Sequence, residues 1–266
     1  MTRHLPLRPD IDDGIDRKVL TQLRARFMRI NHGRLQRAMQ ALSSRQQRVL
    51  TLLPLLFHVN HPLLPGYVSA QTPAGLAGFE PGAELLAEAQ RLTRSFAYKP
   101  PRAPAPTPIH GLFLMGSLGT LAQAEQSDMD LWVCHASELD SDARDALRRK
   151  CDLLQSWAAS QGAEAHFFLI DPERFRSGAR DAQLTSDDCG TTQHVLLLDE
   201  FYRTAIWLAG RMPLWWLVPA SDEHRYAHVT GTLLSKRFIR GEDVLDLGHL
   251  AQVPAGEFIG AGMWQL

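Results

Sequence analysis

The sequence lacks the features that mark several common classes of protein. Its three cysteines, Cys134, Cys151 and Cys189, show no paired spacing, which argues against a cysteine-based zinc motif or a disulfide framework and favours a reducing compartment. No apolar run approaches the roughly 20 residues that a membrane-spanning helix needs. The first residues also lack the apolar segment of a signal peptide. We therefore expect a cytoplasmic protein without a membrane span.

An excess of charge of one sign is also missing. The formal net charge is −1, and a protein that grips a nucleic-acid backbone is usually strongly basic. We therefore expect no nucleic-acid partner. The chain has 266 residues, of which 45% are hydrophobic, and this is enough for a sizeable core and one or two domains.

The first 98 residues read as a helical region followed by a loop. Apolar residues recur at helical spacing over residues 15–57, with Ser43-Ser44 as an N-cap and Asn31-His32-Gly33 as a point where the helix could be interrupted. Proline and glycine are frequent over residues 62–82, which predicts a loop, and a short helix is expected over 84–97. Residues 1–98 are therefore predicted to be a helical N-terminal region and loop.

Two apolar runs separated by polar residues come next, after the proline-rich residues 99–108. Residues 112–115 (LFLM) end at Gly116-Ser117, and residues 131–134 (LWVC) follow directly after Asp128 and Asp130. This pattern predicts a strand, a turn, an irregular or helical link and a second strand. Further elements follow: a helix over 138–161 with Gly162 as its C-cap, a strand over 163–171, a helix over 193–209, a strand over 214–218, and short helices around 244–245 and 258–259. Residues 99–220 are the predicted catalytic core, and 221–266 a C-terminal helical segment.

The spacing of Asp128 and Asp130 suggests a site that binds a cation. Residues two apart on a strand point to the same face, and two adjacent carboxylates repel each other unless a cation lies between them. A glycine lets the backbone come close to a ligand, so the N–H groups at Gly116-Ser117 could hold phosphate oxygens. Each motif is common on its own, in solvated strand edges or ordinary turns. A Gly-Ser turn that ends one strand, followed by Asp-x-Asp at the start of the next, is more specific.

This arrangement resembles the signature of the DNA polymerase β-like nucleotidyltransferase superfamily. Residues 127–135 (SDMDLWVCH) resemble the class I adenylate cyclases of gamma-proteobacteria, and so do residues 61–67 (HPLLPGY), 167–171 (FFLID) and 188–210 (DCGTTQHVLLLDEFYRTAIWLAG). The resemblance implies an α+β fold: a polymerase β-like palm, a mixed sheet with flanking helices, with helical N-terminal and C-terminal additions. It also implies an enzyme that converts ATP to 3′,5′-cyclic AMP and pyrophosphate.

The resemblance also assigns roles to residues. Asp128 and Asp130 would be catalytic residues that hold two Mg²⁺ ions, with Mn²⁺ as the alternative. Gly116 and Ser117 would bind the nucleotide through its phosphates, with Ser127 as a further contact. Trp132 faces the same side of the strand as Asp130, so it could contact the nucleotide or pack in the core.

A third carboxylate is expected on the strand over 163–171, and two residues compete for the role. Glu164 lies at the start of the strand before an apolar run, which is the usual place in the superfamily. Asp171 precedes Pro172 at the end of the strand, where an aspartate commonly forms a turn. Glu164 is therefore favoured as the third catalytic residue.

The resemblance also implies partner proteins, and the sequence departs from the family pattern in one loop. Relatives of this kind carry a large C-terminal regulatory part, through which sugar-transport signalling proteins are expected to act, so this chain is expected to be a fragment. The loop over 118–126 has fewer hydroxyl residues than is usual, which leaves only Thr120 besides Ser117 as a phosphate contact there. Two alternative functions stay open: transfer of AMP to another acceptor, and a nucleotide-binding module without catalysis. A P-loop enzyme is disfavoured because the Walker lysine is missing.

Overall fold

The chain folds around a four-stranded mixed β-sheet with helices on both faces, an α+β arrangement. The computed structural model describes residues 17–100, 107–120, 127–178 and 190–250. Strand β2 lies between β1, its antiparallel partner, and β3, its parallel partner, and β4 pairs antiparallel with the other side of β1. The strands of this sheet are β1 (Ile109–Met115), β2 (Met129–His135), β3 (Ala165–Ile170) and β4 (Ile206–Gly210), and two short strands, β5 (Met212–Pro213) and β6 (Val244–Leu245), pair with each other.

Helices precede, connect and follow the strands of the sheet. The α-helices are α1 (Arg17–Ala41), α2 (Ser44–His58), α3 (Ala83–Leu92), α4 (Ser141–Ser160), α5 (Pro172–Arg176), α6 (Gly190–Thr204) and α7 (Tyr226–Ser235). Three 3₁₀ segments lie at Leu214–Leu217, Ala220–Arg225 and Gly241–Asp243. None of the described helices is both long and apolar enough to cross a membrane.

Both faces of the sheet are buried, which explains why β1 and β2 read as continuous apolar runs. On one face, Leu112, Leu114, Leu131 and Val133 pack in a cluster with side chains of α2 and α4. On the other face, the side chains of β1 and β2 pack against α6, α7 and the 3₁₀ segment Leu214–Leu217; they are Phe113, Met115, Trp132 and Cys134. The first cluster holds side chains from both sides of residue 98, and the second from both sides of residue 220. The predicted domain boundaries stay predictions.

Local signals mark the ends of α2 and α4, and the N-cap predicted at Ser43-Ser44 is confirmed. Ser43 caps α2 through a capping box, because its hydroxyl accepts from the Gln46 backbone N–H while the Gln46 side chain accepts from the Ser43 N–H. Asp140 caps the N-terminus of α4. The predicted C-cap Gly162 lies one residue beyond the C-cap Gln161 and has a φ of +76°, the left-handed conformation that ends many helices.

Helix α1 runs without the interruption that the sequence suggested at residues 31–33. Instead the buried side chain of Asn31 pairs with the backbone of the edge strand β4. Its Nδ2 donates to the Trp207 carbonyl at 2.9 Å, and its Oδ1 accepts from the Trp207 N–H at 2.7 Å. Asn31 thus satisfies backbone groups of β4 at the edge of the sheet.

Three predicted elements near the end of the described chain are wrong. The helix predicted over 193–209 ends at Thr204, and the residues that follow form strand β4 because the free edge of β1 pairs with them. The strand predicted over 214–218 is a 3₁₀ segment, held between Pro213 and Pro219. Residues 244–245, predicted as helix, form β6 by pairing with β5. Residues 1–13 and 258–259 lie outside the described residues.

Candidate functional site

The predicted motifs meet at one end of the central sheet. Strand β1 ends at Met115, directly before Gly116-Ser117, and the antiparallel strand β2 begins at the same end. The register pairs Met115 with Asp130 across one side and Asp130 with His166 across the other. The Gly-Ser turn, the aspartate pair and the start of β3 therefore lie next to one another.

Gly116 allows the turn to approach the carboxylate of Asp130. Its φ is +82°, in the left-handed region that favours glycine. A β-carbon at this position would lie 3.3 Å from Asp130 Oδ2, closer than an ordinary van der Waals contact. A glycine is therefore required for both its conformation and the space beside Asp130.

Hydrogen bonds hold the Gly-Ser turn in place. The hydroxyls of Ser117 and Ser127 are 2.7 Å apart, so the turn is bonded to the residue that precedes Asp128. The Thr120 hydroxyl donates to the Ser117 carbonyl at 2.6 Å, and Arg37 of helix α1 donates through Nε to the Gly119 carbonyl at 3.1 Å. Residues 121–126 of the predicted loop lie outside the described residues.

Two carboxylates and an imidazole form the exposed part of the site. His166 Nε2 lies 3.4 Å from Glu164 Oε1 and 3.8 Å from Asp128 Oδ2. One ligand atom from each of the three residues lies within 4.8 Å of the others, so the group could hold a metal ion. The side chains are 71% exposed for Glu164, 49% for Asp128 and 38% for His166, which leaves the group open to a ligand.

Asp130 lies beside this group and deeper in the protein. Burial raises the pKa of its carboxyl, and the neighbouring Asp128 raises it further, while His166 lowers it. The raised pKa indicates that the negative charge of Asp130 is not fully compensated by the protein. A cation bound at this end of the sheet would supply that compensation, so the donors present suit a divalent metal ion.

His166 was not among the residues predicted from the sequence. The signal that could have found it is its spacing of two from Glu164, the residue directly before β3, because side chains two apart along an extended segment point to the same side. What brings that side to Asp128 is the register that pairs His166 with Asp130. A strand register between distant segments is not readable from spacing.

Asp171, the competing third carboxylate, lies at the other end of β3, about 20 Å from Glu164 along an extended strand. It caps α5: its Oδ1 accepts from the Ser137 hydroxyl at 2.6 Å and from the backbone N–H groups of Glu173 and Arg174 at 3.0 and 3.2 Å. Although burial alone would raise the pKa of Asp171, these hydrogen bonds hold it below its usual value. Its surroundings are those of a structural cap.

Trp132 projects from the same face of β2 as Asp130, as predicted, but it packs in the core. Its side chain stacks on Phe201 with ring centroids 5.2 Å apart and meets Phe175 edge-on at 5.5 Å. Only 3% of the residue is exposed. Core packing, the alternative role considered for Trp132, is therefore what the structure shows, and a nucleotide contact stays a prediction.

Known proteins similar to this chain point to one family. Residues 19–216 match the family model described as the adenylate cyclase NT domain. The chain is 44% identical over 247 residues to an adenylate cyclase of Escherichia coli O6:H1 and 43% identical over 247 residues to one of Salmonella typhimurium. An adenylate cyclase of Proteus mirabilis is 42% identical over 246 residues.

These matches cover most of this chain but a minor part of the relatives. They include 92% of the chain and 28–29% of the length of these curated relatives. No solved structure matches the chain significantly. The family model spans well over half of the sequence and includes the Gly-Ser turn, the aspartate pair, Glu164 and His166. The chain therefore belongs to the adenylate cyclase NT domain family.

Proposed function

We propose that the chain carries the catalytic site of an adenylate cyclase, which converts ATP to 3′,5′-cyclic AMP and pyrophosphate. The observation that supports this most directly is the meeting of the Gly-Ser turn with three carboxylates, Asp128, Asp130 and Glu164, at one end of the sheet. This meeting occurs in a chain that is 42–44% identical to proteins named adenylate cyclase.

The proposed metal ligands are Asp128 and Asp130, with Glu164 as the third carboxylate. Two Mg²⁺ ions held there would lower the pKa of the ribose 3′-hydroxyl and offset the charge of the triphosphate. Glu164 is the third carboxylate at this end of the sheet, and its side chain is exposed, so it could accept the proton of the 3′-hydroxyl.

The Gly-Ser turn is the proposed phosphate subsite. Gly116 has no side chain to keep an anion from the backbone, and the hydrogen-bonded pair of Ser117 and Ser127 presents hydroxyls next to it. The arrangement would orient the triphosphate so that its α-phosphorus faces the 3′-oxygen. The 3′-oxygen then forms a bond to the α-phosphorus while the bond to the bridging oxygen breaks, and pyrophosphate leaves.

Fold and partners belong to the same proposal. The mixed sheet with carboxylates at the start of β2 and β3 supports a palm of the polymerase β-like type. We further propose that ATP is the substrate and that a C-terminal part, present in the longer relatives, regulates the site through sugar-transport signalling proteins.

The test is an incubation of the purified chain with ATP and Mg²⁺, with products separated by chromatography. Asp128→Asn and Asp130→Asn are compared with Asp152→Asn, a control that neutralises an exposed aspartate on helix α4. We expect cyclic AMP from the parent and from the control, and none from the two site variants.

Other outcomes would favour the alternatives. An adenylylated acceptor in place of cyclic AMP would indicate transfer of AMP to another molecule. Binding of ATP without turnover, both in this chain and in a full-length protein that includes the C-terminal part, would indicate a nucleotide-binding module. Equal amounts of cyclic AMP from the parent and from Asp128→Asn would refute the assigned site.

A further inference from the structure

The site contains one nitrogen donor among oxygen donors. His166 lies on β3 directly opposite Asp130 and two residues after Glu164, so its imidazole shares a face with the site carboxylates. The side chain is 38% exposed, and the carboxylates of Glu164 and Asp128 both lie within 4 Å of Nε2. The ring nitrogen therefore faces the same space as the proposed metal ligands.

The distances around His166 fit a shared ion. Donor atoms bound to one small divalent ion lie about 2.1 Å from it, so two of them are about 3.0 Å apart at a right angle and about 4.2 Å apart on opposite sides. The Nε2 atom lies 3.4 Å from Glu164 Oε1 and 3.8 Å from Asp128 Oδ2, both within that interval. The donor atoms of all three side chains lie within 4.8 Å of one another, so small rotations of these exposed side chains could bring them onto one ion.

A nitrogen ligand changes which ion the site prefers. Mg²⁺ takes oxygen ligands and gives up its waters reluctantly, whereas Mn²⁺ shares the preference for oxygen but, as a first-row transition ion, also takes a nitrogen ligand. We propose that His166 is a metal ligand through Nε2 and that it makes this site bind Mn²⁺ in preference to Mg²⁺. The inference rests on the proposed metal site, but it concerns the identity of the ion and not the reaction.

The ordinary alternative is an ion pair. A protonated His166 could hold Asp128 and Glu164 together at the surface without any role in metal binding, and such exposed pairs contribute little to stability. The two roles predict different effects of replacing the imidazole by a group of similar reach. Glutamine can place an amide oxygen near the position of Nε2, so His166→Gln exchanges a nitrogen donor for an oxygen donor.

The experiment measures binding of Mn²⁺ to the purified chain by the loss of the free-ion paramagnetic resonance signal, with and without a non-hydrolysable ATP analogue. Competition with Mg²⁺ then gives the affinity for that ion. For the parent we expect Mn²⁺ to bind more tightly than Mg²⁺. In His166→Gln the affinity for Mn²⁺ should fall by about tenfold or more while that for Mg²⁺ changes little.

A spectroscopic signature and two controls complete the test. Spin-echo modulation from a bound nitrogen should be present in the Mn²⁺ complex of the parent and absent from that of His166→Gln. His228→Gln replaces an exposed histidine on α7 and should match the parent. An unchanged ratio of affinities in His166→Gln, or a parent that prefers Mg²⁺, would overturn the inference. If one of these results is obtained and Asp128→Asn no longer binds either Mn²⁺ or Mg²⁺, the inference about His166 fails but the proposed metal ligands Asp128 and Asp130 are still supported.

Discussion

Gly116→Ala is the substitution that separates the geometry of the site from the stability of the fold. The backbone φ of +82° at this residue is unfavourable for a residue with a β-carbon, and the cost of such a conformation is about 1–2 kcal/mol. The added methyl group would also lie 3.3 Å from Asp130 Oδ2, so the carboxylate must move by a few tenths of an ångström. We therefore expect a loss of both stability and activity.

The two effects have different sizes. A loss of about 1–2 kcal/mol lowers the melting temperature of a domain of this size by about 2–8 °C. A misplacement of about 1 Å at a reacting centre can cost about a hundredfold in rate, so a smaller shift of Asp130 should lower cyclic AMP formation by about tenfold. The loss of activity should therefore persist at temperatures where the variant is fully folded.

Gly162→Ala is the matched control. Gly162 has a φ of +76°, and a β-carbon there would meet no heavy atom within 4 Å. The control should lose about the same free energy of unfolding as Gly116→Ala and keep the activity of the parent. Thermal unfolding followed by circular dichroism and a cyclic AMP assay well below the transition measure the two quantities.

Two results would refute this reasoning. Full activity of Gly116→Ala would mean that the turn need not approach Asp130 closely. Equal losses of activity in Gly116→Ala and Gly162→Ala would mean that the effect reflects general destabilisation.

Three further predictions follow from single contacts. Folding raises the pKa of the Asp130 carboxyl above its ordinary value of 3.8, so ionisation of Asp130 opposes folding at higher pH. In urea unfolding with a chelator, Asp130→Asn should therefore increase the free energy of unfolding at neutral pH. This gain should shrink as the pH falls toward 3.8. Glu164→Gln should lower turnover and leave the free energy of unfolding unchanged. Asp171→Asn should lower the free energy of unfolding by about 1 kcal/mol and leave turnover unchanged. The reverse pattern would make Asp171 the third carboxylate. Asn31→Leu should cost about 2–4 kcal/mol in urea unfolding because it removes the partners of the part-buried Trp207 N–H and carbonyl. The exposed neighbour variant His32→Ala should cost little, and equal losses would contradict this role for Asn31.

Part of this fold was predictable because local signals and tertiary packing agree. The apolar runs of β1 and β2 are bounded by turn residues and buried on both faces, and the capping box at Ser43 marks the start of α2. Strand β4 was missed because its residues continue the apolar pattern of α6. Its conformation depends on pairing with β1 and on the side chain of Asn31, which is 176 residues away in the sequence. No local pattern carries that information.

The candidate site, like the fold, was predictable only where a local pattern carries the information. Asp128 and Asp130 were predicted because two carboxylates on one strand face imply a cation, and Gly116 because a glycine at the end of a strand implies a turn; the structure brings these three residues together. His166 was missed because its role depends on the register between β2 and β3. Glu164 and Asp171 could be ranked by their positions relative to the strand, but only their contacts show what each carboxylate is bonded to.

The contrast between Asp130 and Asp171 is the strongest physical argument for the position of the candidate site. Both are aspartates on or next to strands of the same sheet, and folding shifts their pKa values in opposite directions. Asp171 receives hydrogen bonds from a hydroxyl and two backbone N–H groups, so the protein itself stabilises its charge. Asp130 is half-buried beside another carboxylate and close to a glycine that leaves the space open. Carboxylates with such an unfavourable charge are typical of ligand sites, and a divalent cation together with the phosphates of ATP would offset the charge.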